Sequence, residues 1–258
     1  MNSRYARNYL TEVIARVDFL SEVPKFQDSI PDVVYKAARE YFPIIEPQME
    51  QGHEIELGPE KGTVRKKERI KWTFFNKEKT SSLVITDEFL YVSHKKHESF
   101  EMLEPEFYNA LKAVSEVFEE NKIKRIGLRY INNFTINSRP VLDWSGLFNP
   151  TLLDIPDITI KGSKVTGTNL TRAFKTATYN FEDFQLTFRY GIHNPDFPAK
   201  IKRRSFILDY DCFSTGAYFI NEIENYLSKF HTVIHDAFES SIEEPLREDL
   251  SHEPAISE

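Results

Sequence analysis

Apolar and polar positions alternate through residues 123–136, Ile-Lys-Arg-Ile-Gly-Leu-Arg-Tyr-Ile-Asn-Asn-Phe-Thr-Ile, and a period of two marks a β-strand. One face carries Ile126, Leu128, Tyr130, Phe134 and Ile136, interrupted by Asn132. The other carries Arg125, Gly127, Arg129, Asn133 and Thr135. The same period runs through residues 10–19, where Val13, Ala15, Val17 and Phe19 oppose Arg16 and Asp18. Further strands are predicted near residues 172–181, 184–193 and 203–213. A hairpin is predicted from the strand holding Ile70, Trp72 and Phe74, across residues 76–80, to a partner over residues 82–93.

Helical spacing takes over in three places. Ser29 offers an N-cap with Pro31 in the first turn, followed by Val33, Val34, Ala37, Ala38 and Tyr41. Pro105 opens a stripe of Phe107, Ala110, Leu111, Val114, Val117 and Phe118. A last helix, predicted to begin near Ser214 or Thr215, carries Phe219, Ile223, Tyr226, Phe230, Val233, Ile234 and Ala237. A weak internal repeat aligns the strands at Trp72 and Leu83 and the helix from Pro105 with the strands at Leu186 and Phe206 and the last helix. The strands at Val13 and Ile126 open the two copies.

These patterns predict an α+β fold of duplicated strand-strand-helix units, an antiparallel sheet covered on one face by long helices. Residues 1–137 form the first repeat and residues 172–240 the second. Residues 138–171, rich in Pro, Gly, Asn, Ser and Thr, form a long connection packed on the body, and residues 241–258 an acidic disordered tail.

At 258 residues, 40% hydrophobic and 14% aromatic, the chain has ample material for a core, and only 9 glycines rule out a collagen-like chain. No apolar run approaches membrane-spanning length, and although Arg4 and Arg7 give a positive start, Glu12, Arg16 and Asp18 break up any apolar leader segment behind them. A lone cysteine, Cys212, excludes an internal disulfide and a cysteine-based zinc site, which fits a reducing, cytoplasmic setting. The net charge of −7 is concentrated at the end. Seven acids against Arg247 give residues 239–258 a charge of −6 and leave the body near neutral, open to an anionic ligand.

Candidate chemistry lies on the polar strand faces. Arg125, Arg129 and Asn133, Arg189 and His193, and Asp209 and Asp211 each alternate with apolar neighbours, so they share a face if their strands share a sheet. The plainer account is cross-strand ion pairing, with Arg129 crossing to Asp209 or Asp211. The sharper one is a groove where Arg129 and Arg189 bind a phosphate or carboxylate. Asp209 and Asp211 are also spaced for a divalent metal, with His193 or Glu182 completing the shell, the basis of a hydrolase or nuclease reading. Arg65, Lys66, Lys67 and Arg69, and a second stretch of Lys200, Lys202, Arg203 and Arg204, are candidate nucleic-acid contacts, set against solvated hairpin edges that block aggregation. His231 and His235 lie four apart on a helix without the glutamate of a zinc protease. No pattern calls for a cofactor.

The core Arg-Ile-Gly-Leu-Arg-Tyr-Ile-Asn of residues 125–132 resembles the signature of a sporadically distributed, uncharacterised bacterial protein family. The opening Leu10-Thr-Glu-Val-Ile and the segment Asn149-Pro-Thr-Leu-Leu resemble its other landmarks. The resemblance spans nearly the whole chain and brings no activity, cofactor or substrate. Its patchy distribution implies carriage on mobile elements, as in defence or toxin–antitoxin loci. The expected function is therefore a cytosolic binding or interaction protein with a protein partner or small anionic ligand. The alternatives are a hydrolase or nuclease using Asp209 and Asp211, and a nucleic-acid-binding regulator.

Overall fold

A computed structural model describes residues 5–57, 62–96, 99–118, 122–136, 140, 142–155, 158–165 and 169–251, with residues 52–57 and 62–67 described as backbone alone. The fold is mixed α and β, built on a nine-stranded antiparallel sheet. Its strands are β1 (Leu10–Phe19), β2 (Ile44–Leu57), β3 (Gly62–Phe75), β4 (Ser81–Ile85), β5 (Phe89–His94), β6 (Lys122–Phe134), β9 (Ala173–Asn180), β10 (Gln185–Ile192) and β11 (Phe206–Phe219). A separate two-stranded hairpin pairs β7 (Ile158–Ile160) with β8 (Ser163–Val165). The sheet order is β2-β3-β4-β5-β1-β6-β11-β10-β9. The helices are α1 (Lys25–Asp28), α2 (Asp32–Tyr41), α3 (Phe100–Ser115), α4 (Pro150–Leu153), α5 (Ile223–Ser241) and α6 (Glu244–Ser251).

The chain divides into two compact units, one of Met1–Thr11, Arg129–Cys212 and Phe230–Glu258, the other of Glu12–Leu128 and Phe213–Lys229. In the second unit the alternation of β1 buries Val13, Ala15, Val17 and Phe19, while β4 and β5 bury Leu83, Ile85, Leu90 and Val92. Helix α3 packs on β5 and on α2, contributing Leu103, Phe107, Leu111 and Val114 at the three-and-four spacing that makes one apolar stripe. Pro105 lies inside this helix, which begins five residues earlier, with Ser99 at the N-cap position.

In the first unit β6 supplies Tyr130 and Phe134, β11 supplies Phe206, Leu208, Tyr210 and Cys212, and α5 adds Phe230 and Ile234. The segment before α4 enters this core through Trp144, Leu147 and Phe148. Phe148 stacks on Phe206 at 4.4 Å and meets Phe134 edge-on at 5.0 Å. Arg204, one of the basic residues considered for nucleic acid, is buried here. Its Nη1 donates to the Ile136 carbonyl at 3.1 Å, its Nη2 donates to the Asp143 carbonyl, and its guanidinium lies 4.0 Å from the Trp144 ring centre. Two loop carbonyls and an indole face hold this cation and tie that connection to the residues just before β11.

Several expected boundaries change. Residues 241–251, expected to fray with the acidic tail, end α5 and form α6, because Leu246 and Leu250 lie four apart and both bury. Helix α6 also holds the start of the chain. The Arg7 N–H donates to the Leu250 carbonyl at 2.9 Å, and Arg7 pairs with Asp249 at 2.7 Å. Strand β11 continues to Phe219, so α5 starts at Ile223 rather than near Ser214. Residues 82–93 are not one strand, since β4 and β5 turn back on each other and pair Ser81 with His94 through Ile85 with Leu90. Residues 44–57, for which no element is predicted from the sequence, form β2 against β3.

Candidate functional site

Within the first unit, β6, β11 and β10 turn their aromatic and aliphatic residues to one side, and the intervening positions carry the polar set to the other. Arg129 lies between buried Leu128 and Tyr130, and Asp209 between buried Leu208 and Tyr210. The Arg129 Nε donates to Asp209 Oδ1 at 2.8 Å and its Nη2 donates to Oδ2 at 2.7 Å, the parallel two-bond geometry that a guanidinium and a carboxylate favour. Asp209 is 4% exposed, whereas the Arg129 side chain keeps 37% of its surface in water. The strand alternation thus places Arg129 against the first of its two candidate acids, as a half-buried rather than a buried cation.

Arg189 approaches the same acids from β10 with longer contacts. Its Nη1 is 3.4 Å from Asp209 Oδ2 and its Nη2 is 3.8 Å from Asp211 Oδ2. A divalent ion bridging Asp209 and Asp211 would have to displace both guanidinium groups. Among the described residues, no group of three or more His, Cys, Asp or Glu side chains is gathered for a metal.

Asn133 and His193 meet through a residue that sequence inspection missed. The Ser205 hydroxyl donates to Asn133 Oδ1 at 2.6 Å and lies 3.4 Å from His193 Nδ1, while the His193 backbone N–H donates to the Ser205 carbonyl at 2.9 Å. Ser205 shares the parity of Asp209 and Asp211, so extending the alternation of β11 backward was the signal. Its proton goes to an amide oxygen rather than to the imidazole, which is not the arrangement of an activated nucleophile. Burial lowers the His193 pKa, with the Arg172 charge adding to the effect, so the neutral imidazole is favoured. Burial pushes the Cys212 thiol up to about 12, with Asp211 reinforcing it, and the thiol is therefore unreactive.

The remaining candidates stand apart. Arg125 belongs to the second unit, where its guanidinium carbon sits 4.9 Å from the Phe213 ring centre. A Cβ on Gly127 would come within 2.8 Å of Arg125 Nη1, so the strand glycine makes room for the arginine two residues earlier. The side chains of Arg65, Lys66 and Lys67 lie outside the described residues. Arg69 is engaged within the second unit, donating to both Glu88 carboxylate oxygens at 2.8 and 2.5 Å and lying 3.9 Å from Asp87. In the other basic stretch, Arg203 pairs with Asp196 at 2.5 Å. His231 accepts or donates at 2.9 Å with the Tyr130 hydroxyl.

The site that emerges is a strip of guanidinium, carboxylate, amide and imidazole groups on one face of three neighbouring strands, suited to recognition by charge and hydrogen bonding. In comparisons with known proteins, no family model and no curated protein matches the chain.

Proposed function

We propose that this chain is a binding and interaction protein without catalysis, and that the polar strip of its first unit recognises an anionic group, a carboxylate or phosphate, of a protein partner or a small ligand. The observation that carries this reading is the inequality of the two arginines. Arg129 saturates Asp209 with two short bonds, while Arg189, 34% exposed, holds its acids only at 3.4 and 3.8 Å. Strong charge-assisted N–H···O bonds lie at about 2.7–2.9 Å, so an incoming oxyanion offers Arg189 better partners than it has. Asn133, Ser205 and His193 lie on the same face and add neutral hydrogen-bonding groups.

The test uses inorganic phosphate. It is expected to raise the melting temperature of the wild type by mass action, and Arg189→Ala is expected to abolish that rise while Arg203→Ala keeps it. An equal rise in wild type and Arg189→Ala, or none in either, contradicts the reading. The setting rests on the family resemblance for a bacterial protein of a mobile or defence locus, toxin–antitoxin pairs included, and on the lone cysteine for the cytoplasm. No helix among the described residues is long and apolar enough to cross a membrane.

The duplication is also part of this reading, and the strand order supports it. Counted outward, the sheet reads β1, β5, β4, β3 on one side and β6, β11, β10, β9 on the other. In chain order each series is an opening strand, then three further strands, then a long helix, α3 or α5. That correspondence pairs β10 with β4 and β11 with β5, one strand away from the alignment expected of the sequence.

A further inference from the structure

Strand β9 ends the sheet order, and its backbone pattern shows which groups face outward. The Phe181 N–H donates to the Phe184 carbonyl at 2.9 Å, and the register pairs Asn180 with Gln185 through Ala173 with Ile192. In an antiparallel ladder, doubly bonded pairs alternate with unbonded ones. Ala173, Lys175, Ala177 and Tyr179 therefore spend their bonds on β10, and Phe174, Thr176, Thr178 and Asn180 turn N–H and C=O away from it. The close approach of the Thr178 and Thr187 hydroxyls, 3.3 Å apart, fits an unbonded pair at that position.

Among the described residues this edge lacks the usual protection. Lys175 is the only charge in Ala173–Asn180, there is no proline, and the register with β10 is unbroken. Phe174, Tyr179 and Phe181 are 43%, 51% and 49% exposed along it. An aromatic edge with no strand paired to it among the described residues is a template for another strand.

We propose that the occupant is a second copy of β9, making a two-fold dimer whose sheet is continuous across the interface. An axis perpendicular to the sheet through Ala177 keeps both faces in phase and sets the outward-facing residues against each other, Thr176 against Thr178 and Phe174 against Asn180 of the second copy. Each such pair exchanges both backbone bonds. The unbonded pair on the axis is the tightest, and it falls on Ala177, whose side chain is small. Charge fits as well: Lys175 faces the Tyr179 ring, and Arg172 comes beside Glu182, once on each side of the axis. Moving the axis to Thr178 would set Phe174 against Glu182 and lose both matches.

The proposal is independent of Arg189 and is tested by sedimentation equilibrium on the full chain. The wild type is expected to dimerise. Thr178→Pro removes an outward N–H while sparing the bonds to β10, and is expected to be monomeric with an unchanged circular dichroism spectrum. Glu182→Arg is expected to weaken the dimer about tenfold or more, and Arg172→Glu with Glu182→Arg to restore it. If Thr178→Pro fails to fold, the charge exchange still decides the matter. A monomeric wild type, or a dimer indifferent to the charge changes, overturns the proposal. So does a monomer whose Thr176 and Thr178 amides become protected from exchange only when a different protein is added.

Discussion

Asp209 is the most deeply buried charge of the polar strip, and the two guanidinium groups facing it keep about a third of their side-chain surface in water. The energetic weight therefore rests on the carboxylate, which loses its hydration and needs Arg129 to replace it. The arginines pay less and are worth correspondingly less as stabilisers. His193 adds a pH dependence of known sign. Its folded pKa lies below the ordinary 6.5, so between the two values the unfolded chain binds more protons and stability falls as pH falls. Urea midpoints measured downward from 6.5 are expected to decline, and His193→Gln to flatten the part due to this residue. An unchanged slope in the variant would place the effect elsewhere. Gly127 leaves room on the polar face for the guanidinium of Arg125, two residues earlier on the same strand.

Among the elements, α6 has the clearest energetic consequence. Leu246 is fully buried in a helix whose Asp249 pairs with Arg7, ahead of β1. Leu246→Ala is expected to cost about 3 kcal/mol in urea unfolding, and a loss under about 1 kcal/mol would mean that α6 is peripheral to the core. The helix was not legible in advance because proline and a run of acids dominate its composition, leaving two leucines as its whole apolar signal. Strand β2 escaped for a related reason: it borders β3 alone, and its described side chains include none that is buried, so no alternation marks it. The strands that form the site were readable because each buries most of one face, as Leu128 and Tyr130 or Leu208 and Tyr210 do around their charged neighbours. Alternation cannot say which strand lies next to which, and so the partnership of Ser205 with Asn133 and His193 was beyond it.

For the molecule as a whole, an antiparallel sheet with helices was legible as a fold class, and the order of the nine strands adds what periodicity lacks: β6 beside β11, and β11 beside β10. That neighbourhood turns three separate polar faces into one strip and makes the difference between Arg129 and Arg189 meaningful. The most direct measurement is a phosphate titration followed through the arginine side-chain Nε–Hε signals by nuclear magnetic resonance. The expected result is a saturable shift of the Arg189 signal with the Arg129 signal held in place by its two bonds to Asp209. Movement of Arg129 in step with Arg189, or no movement of either at saturating phosphate, would contradict the assignment of Arg189 as the exchangeable cation of the site.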